Sequence, residues 1–328
     1  MMQTHNANIL VAENLTKNYD GKLALRGLTF SLQAGRILGF LGPNGAGKTT
    51  AIRILTTIFE PSSGQFQVDG ISSAHPEQIR RKIGVLPESL GFPKQMTGME
   101  FLTHFGQHYG HKPVAARENA LALLKDVGLA EKGSTLIGTY SRGMRQRLGI
   151  ARALVNDPVV VFLDEPTLGL DPRGKMELLT LVKRIASDRN AGVIFCSHLL
   201  TEVEEICDDV VILREGQSVT AGTVREVIER GNRNMIRIRV LAEHIPDARL
   251  ILTGMPGIAA VSANGGKSDI VEVQTEAQIV KNSSEDVQLK NHILNALLQA
   301  GIPVLNFDAD SGSRLQDIFF QLTEEPKS

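Results

Sequence analysis

No stretch of this chain stays apolar for the ~20 residues that a membrane-spanning helix needs, so no such span is expected. A charge excess of either sign is also missing, since 35 Lys and Arg face 36 Asp and Glu. That balance gives no electrostatic footprint for nucleic acid or an anionic membrane surface. Cysteine is scarce. The two present, Cys196 and Cys207, fall in an apolar strand pattern and in a helical one. They read as reduced packing residues rather than a disulfide or metal pair. The opening residues Met1 to Asn8 are polar, without the basic flank and apolar core of a signal peptide. No internal repeat is visible. A soluble cytoplasmic chain is the expectation, and 328 residues suggest about two domains.

What the chain does have is the stretch Gly42-Pro43-Asn44-Gly45-Ala46-Gly47-Lys48-Thr49-Thr50, which reads GxxxxGKT. The apolar, turn-bounded run Ile37–Leu41 before it suits a buried strand, and Ile52, Ile54, Leu55 and Ile58 recur after it at helical spacing. Strand, glycine loop and helix thus come in the order a phosphate cradle requires. Glycines let backbone N–H groups turn toward an anion with no Cβ in the way. The helix opening at Lys48 aims its first N–H groups and positive dipole end at the same point. Lys48 is expected on the β- and γ-phosphates, and the Thr49 hydroxyl on Mg²⁺. The stretch predicts a nucleoside triphosphate site.

Upstream, Ile9–Thr16 and Ala24–Leu32 alternate around the turn Tyr19-Asp20-Gly21-Lys22, as a β-hairpin or small antiparallel sheet does. Tyr19 has two readings, a packing residue or a ring on which a purine stacks. Downstream, residues 65–70 alternate as a strand, 76–82 suit a short helix, and the strand 83–86 runs into Pro87-Glu88. Residues 98–128 are helical in pattern. Tyr140-Ser141-Arg142-Gly143-Met144 precedes a further helix, which Asn156-Asp157-Pro158 stops. The uninterrupted apolar runs Val159–Leu163 and Gly192–Cys196 mark strands buried on both faces of a parallel sheet, with a helix through Ile185 between them. A helix from Leu199 to Cys207, the strand Val210–Leu213 and the turn 214–217 follow.

Residues 229–234 look like a linker. Beyond them come a strand (235–240), a short helix (247–253), two strands (258–263, 269–275) joined by a tight turn at 264–267, a helix (286–300) and a strand (303–307). A closing helix takes 314–322. The order is that of the split βαβ, ferredoxin-like arrangement. From residue 231 onward nine basic residues meet twelve acidic ones, which argues against nucleic-acid binding there.

Asp164-Glu165 ends the buried run Val159–Leu163. Asp164 is placed to hold Mg²⁺, and Glu165 to act as general base toward a water attacking the γ-phosphate. His198 ends the next buried strand and either hydrogen-bonds the γ-phosphate or is structural.

With these residues in order, the chain resembles the nucleotide-binding subunit of an ABC transporter over roughly residues 9–225. The motifs that carry the resemblance are an aromatic A-loop at Tyr19, Walker A at Gly42–Thr50, and Walker B at Val159–Asp164 with catalytic Glu165. A signature at Tyr140–Met144, a D-loop at Leu168-Gly169-Leu170-Asp171 and a switch histidine at His198 complete the set. The resemblance implies ATP and Mg²⁺ as ligands, with Tyr19 and His198 as site residues and Asp171 at the nucleotide. It also implies a head-to-tail dimer, homodimer or paired subunit, in which Ser141 and Gly143 face the opposed nucleotide. A separate membrane permease is implied as partner, which puts the chain on the inner face of the cell membrane.

Two positions depart from the family. The Q-loop glutamine is Glu88, which keeps an oxygen for Mg²⁺ or the attacking water but cannot donate an amide hydrogen bond. The third and fifth signature residues are Arg142 and Met144. The expected fold is an α/β P-loop NTPase core with an antiparallel β subdomain and a helical subdomain, at 1–229. A small ferredoxin-like α+β domain is expected at 235–324. It resembles the accessory domain of bacterial export ATPases, on the strength of Leu315–Phe320. Two rivals remain, a soluble ABC ATPase of translation or DNA repair and a GTPase switch. The first usually needs paired cassettes or long insertions, the second an NKxD pattern, and neither is present.

Overall fold

Alternating apolar and polar residues build the first layer. Strands β1 (Asn8–Tyr19) and β2 (Lys22–Gln33) pair antiparallel across a two-residue turn. Asp20 and Gly21 in that turn have φ of 47° and 92°, the left-handed pair of a type I′ hairpin. β3 (Ile37–Leu41) leaves this layer and α1 (Lys48–Leu55) follows it. β4 (Ser63–Val68) and β5 (Ile71–Ser72) then complete an antiparallel sheet of order β2-β1-β4-β5. The computed structural model describes residues 8–89, 91–231, 235–263, 269–276, 284–308 and 315–323.

After α2 (Pro76–Arg80), a second sheet gathers β6 (Ile83–Leu86), β7 (Val160–Asp164), β8 (Gly192–Cys196), β9 (Asp209–Arg214) and β10 (Gln217–Thr223) around β3. Its order is β10-β9-β3-β8-β7-β6, parallel except for the antiparallel edge strand β10. β3 and β8 are buried along their whole length, which is why they read as unbroken apolar runs. Between β6 and β7 the chain makes α3 (Gly98–His108), α4 (Pro113–Asp126) and α5 (Arg142–Ala153). Then α6 (Pro172–Arg189) and α7 (Leu200–Ile206) connect the later strands. One core joins the two sheets through α1, with Leu15, Leu28, Phe40, Ile54 and Phe162 fully or almost fully buried. Each such side chain contributes about 1.5–3 kcal/mol by leaving water.

Three expectations need correction. The helical stretch 98–128 is two helices, because Gly110 turns left-handed (φ 92°) and Pro113 starts a new helix at its first turn. Gln217–Thr223, not anticipated as regular structure, is the strand β10. Residues 229–231, read as the start of a linker, are the end of α8 (Val224–Gly231); the rest of that stretch, 232–234, lies outside the described residues.

The chain divides into two compact units, Met1–Val224 with Phe319–Ser328, and Arg225–Ile318. In the second, β11 (Met235–Val240), α9 (Ile245–Leu252), β12 (Ile258–Ala263), β13 (Ile270–Thr275), α10 (Ser284–Gln299) and β14 (Val304–Asp308) follow in order. The strands pair antiparallel as β12-β13-β11-β14, the connectivity of the split βαβ fold. Ile236, Ile238, Val271 and Val273 on one sheet face pack against Leu252, Ile293 and Leu297 from the helices. α11 (Leu315–Thr323) closes the described chain. The turn expected at 264–267 lies outside the described residues.

Candidate nucleotide-binding site

The site begins where β3 ends. The chain turns through Gly42–Gly47 into α1, with Gly47 as N-cap at φ 103°. A Cβ there would meet the Ala24 carbonyl oxygen at 2.6 Å, so this position takes glycine alone. The first turn of α1 has no acidic residue and no side-chain cap, which leaves its opening N–H groups aimed at the cleft for an anion. Lys48 folds back over the loop, its Nζ donating to the carbonyl oxygens of Gly42 and Pro43 (2.5 and 3.1 Å). Burial lowers its pKa from the ordinary lysine value, against the opposing pull of Glu165 and Asp164.

Tyr19, Asn44, Gly45, Ala46, Gly47, Lys48, Thr49, Thr50, Glu88, Asp164, Glu165 and His198 line one open cleft of about 860 Å³. Residues far apart in the chain thus meet in one cleft. Ser141, Gly143 and Asp171 are not among the lining residues, nor are Gly42 and Pro43 at the start of the loop, whose carbonyl oxygens face Lys48.

Four carboxylates line this cleft, Glu88, Asp164, Glu165 and Glu215. The Asp164 carboxyl is pushed up to about 6, first by burial and then by the charges of Glu88 and Glu165, with Lys48 and Arg53 pulling the other way. Glu165 follows at φ 49°, a left-handed conformation rare outside glycine. Its N–H donates to the Cys196 carbonyl at 3.0 Å and extends the β7–β8 ladder by one bond. Its Oε2 lies 2.7 Å from His198 Nδ1. The Glu165 side chain is 16% exposed and that of His198 56%, so the acid is sheltered and the imidazole reaches outward.

At the mouth, Tyr19 is 39% exposed. Its ring meets Phe59 edge-on at 6.1 Å, with the Lys17 ammonium 5.4 Å from the ring centre. The ring is therefore braced yet accessible, as a stacking surface should be.

The signature stretch starts α5. The Ser141 Oγ accepts the Met144 N–H at 3.2 Å and caps the helix. Arg142, the departure at the third position, has its guanidinium against Gly169: a Cβ on Gly169 would stand 2.4 Å from Arg142 Cζ. The sequence did not reveal this contact. Nor did it single out buried Gln146, whose Nε2 donates to the Pro166 carbonyl at 3.0 Å and links α5 to the loop that carries Glu165. A polar residue one turn into an apolar helix face was the available signal.

Residues 25–168 match the ABC transporter family. The daunorubicin/doxorubicin resistance ATP-binding protein DrrA of Streptomyces peucetius is 30% identical over 327 residues, covering 99% of this chain and 95% of that protein. The chain belongs to the ATP-binding subunits of ABC transporters. The bacitracin transport ATP-binding protein BcrA of Bacillus licheniformis is 40% identical over 213 residues, 64% of this chain and 68% of that one. Among solved structures, an ATP-binding subunit of an ABC transporter is 30% identical with a TM-score of 0.60, over 68% of this chain and 92% of its own. An ABC ATP-binding subunit binds ATP and couples its hydrolysis to transport. The α/β core has the P-loop ABC ATPase fold.

Proposed function

We propose that the chain is the motor of an exporter, and that residues 1–229 bind and hydrolyse ATP while 235–324 form an accessory domain. The observation that carries this reading is the 2.7 Å contact between Glu165 and His198 in the cleft that also holds Lys48 and Asp164. In the proposed reaction Glu165 takes a proton from the water that attacks the γ-phosphorus. Lys48 and the N–H groups at the start of α1 hold the charge that develops on the transferred phosphoryl group. His198 orients Glu165 and reaches the γ-phosphate, and the Tyr19 ring carries the purine.

The residues present fit Mg²⁺. Thr49, Asp164 and Glu88 offer a hard, all-oxygen set, and the raised Asp164 carboxyl is a site short of positive charge. Among the described residues no group of three His, Cys, Asp or Glu makes a closed cage. That suits an ion held by one or two carboxylates and substrate phosphates. When bound it would neutralise phosphate charge. Ser141, Gly143 and Asp171, outside the cleft, are assigned to the ATP of an opposed subunit in a dimer, most simply a homodimer. Among the described residues no helix is long and apolar enough to cross a membrane. Separate permease subunits are therefore the proposed partners, with the motor peripheral on the inner membrane face. The drug-resistance and bacitracin-transport names of its relatives support export.

Glu165→Gln tests both parts. Turnover should fall by roughly 10²–10⁴-fold while ATP binding persists. The ATP-loaded variant, tagged and recovered from membranes, should bring a polytopic membrane protein with it. Turnover within a few-fold of wild type would remove Glu165 as base, and recovery with ribosomes or nucleic acid instead would remove the exporter reading.

A further inference from the structure

Behind the cleft lies a buried carboxylate that the reaction itself does not use. Glu202, on α7, has its side chain 7% exposed. Its Oε2 accepts two hydroxyl hydrogen bonds, from Thr167 Oγ1 at 2.6 Å and from Ser197 Oγ at 3.0 Å. Both hydroxyl residues are 1% exposed. Oε1 is buried without a hydrogen bond and is answered by the Lys175 ammonium 3.3 Å away. Burying a carboxylate is costly unless its partners are well made. Its place in the chain suggests what this one does.

Thr167 lies two residues beyond Glu165, in the turn that the Leu168 N–H closes onto the Glu165 carbonyl at 3.2 Å. Ser197 immediately precedes His198, and its Oγ also accepts the Leu199 N–H at 3.1 Å. One carboxylate oxygen therefore ties together the two loops whose neighbouring residues, Glu165 and His198, meet at 2.7 Å. Lys175 adds α6, where its own N–H bonds the Asp171 carbonyl at 3.0 Å. A charged acceptor shared by two hydroxyls makes short, directional bonds, so the spacing of the loops is set from behind.

We infer that Glu202 is a positioning residue, which fixes the Glu165–His198 pair in register and ties that register to the start of α6. It touches neither nucleotide nor water, and the inference rests on the catalytic reading of Glu165 and His198. Removing it should widen a hydrogen bond on which proton removal depends, while the phosphate loop, built by β3 and α1, stays intact.

The test measures kcat, nucleotide affinity without turnover and melting temperature for Glu202→Ala and Glu202→Gln, each with His198 present and with His198→Ala. Glu202→Ala should lower kcat about 10- to 100-fold, on the scale of a misplaced catalytic group, with affinity for a fluorescent ATP analogue unchanged within about twofold. Glu202→Gln should recover most of the loss, because an amide oxygen still accepts both hydroxyls. In the His198→Ala background Glu202→Ala should cost less than about twofold more, because residues acting as one unit are not additive. Affinity falling in step with kcat, or the same fold-loss in both backgrounds, would overturn the inference. Should Glu202→Ala not fold, Thr167→Val and Ser197→Ala each remove one partner, and kcat unchanged in both would overturn it equally. Glu165→Gln assayed alongside separates the two failures. Wild-type turnover there removes the catalytic assignment, whereas loss there with normal Glu202→Ala removes this inference alone.

Discussion

Glu165 holds a left-handed backbone at φ 49°, a conformation that costs a non-glycine residue about 1–2 kcal/mol. The Cys196 carbonyl and the Gln146 bond to Pro166 hold the loop there against that cost. Its neighbour Asp164 bears a second cost, electrostatic this time. In the folded protein the carboxyl sits at about 6 against its ordinary 3.8, so folding favours the protonated form. Below pH 3.8 both states hold the proton and nothing is lost. Between pH 3.8 and about 6 the unfolded chain releases this proton while the folded one keeps it, so stability falls across that window and the loss is complete above it. Without nucleotide and with chelator, Asp164→Asn should therefore melt higher than wild type at pH 8, with the gap closing as pH falls from 7 to 4. A gap independent of pH, or a variant that melts lower at pH 8, contradicts the argument. Lys48, Thr49, Asp164 and Glu165 were legible because their spacing along the chain is itself the chemistry. Glu202 was not. It stands beside Glu204 and Glu205 on the same helix, and only the face that α7 turns inward separates it from them.

At the scale of elements, the unexpected contact is between the start of α5 and the loop before α6. Gly169 has φ 73°, and its missing Cβ is filled by the Arg142 guanidinium, while Leu170 Cδ2 stands 3.7 Å from the Cβ position of Gly143. Gly169→Ala should therefore cost about 1–2 kcal/mol for its backbone and something more for displacing Arg142. Arg142→Gly should relieve the second part only. Urea denaturation of both single variants and the double should show a coupling of at least about 0.5 kcal/mol; strictly additive values would mean that the two residues do not bear on each other. Periodicity could not foresee this, because it concerns which loops meet. It also missed β10, where Val219 and Ala221 are the apolar residues in a polar edge strand. Such a strand faces solvent on one side and lacks the long apolar signature that made β3, β7 and β8 plain.

At the scale of the whole molecule, one residue assigned to the nucleotide stands apart from the cleft. Tyr19, Lys48, Glu165 and His198 line it, but Ser141 does not, although Ser141 caps α5 with its hydroxyl at a helix N-terminus suited to phosphate. If the site is completed by a second subunit, Ser141→Arg should block closure by bulk and leave binding to the subunit's own Lys48 intact. Lys48→Ala should do the reverse. Neither variant alone should occlude ATP. In a mixed dimer one site inherits both defects and the other neither, so a dimer that closes on one sound site recovers occlusion at half the stoichiometry. Filter retention of labelled ATP after mixing, with mixed dimers verified by two distinct tags, reads this directly. Occlusion by Ser141→Arg alone would end the shared-site account. Verified mixed dimers that never retain ATP would count against it too, because the intact pairing of one Lys48 with the opposed Ser141 would then be insufficient to hold the nucleotide.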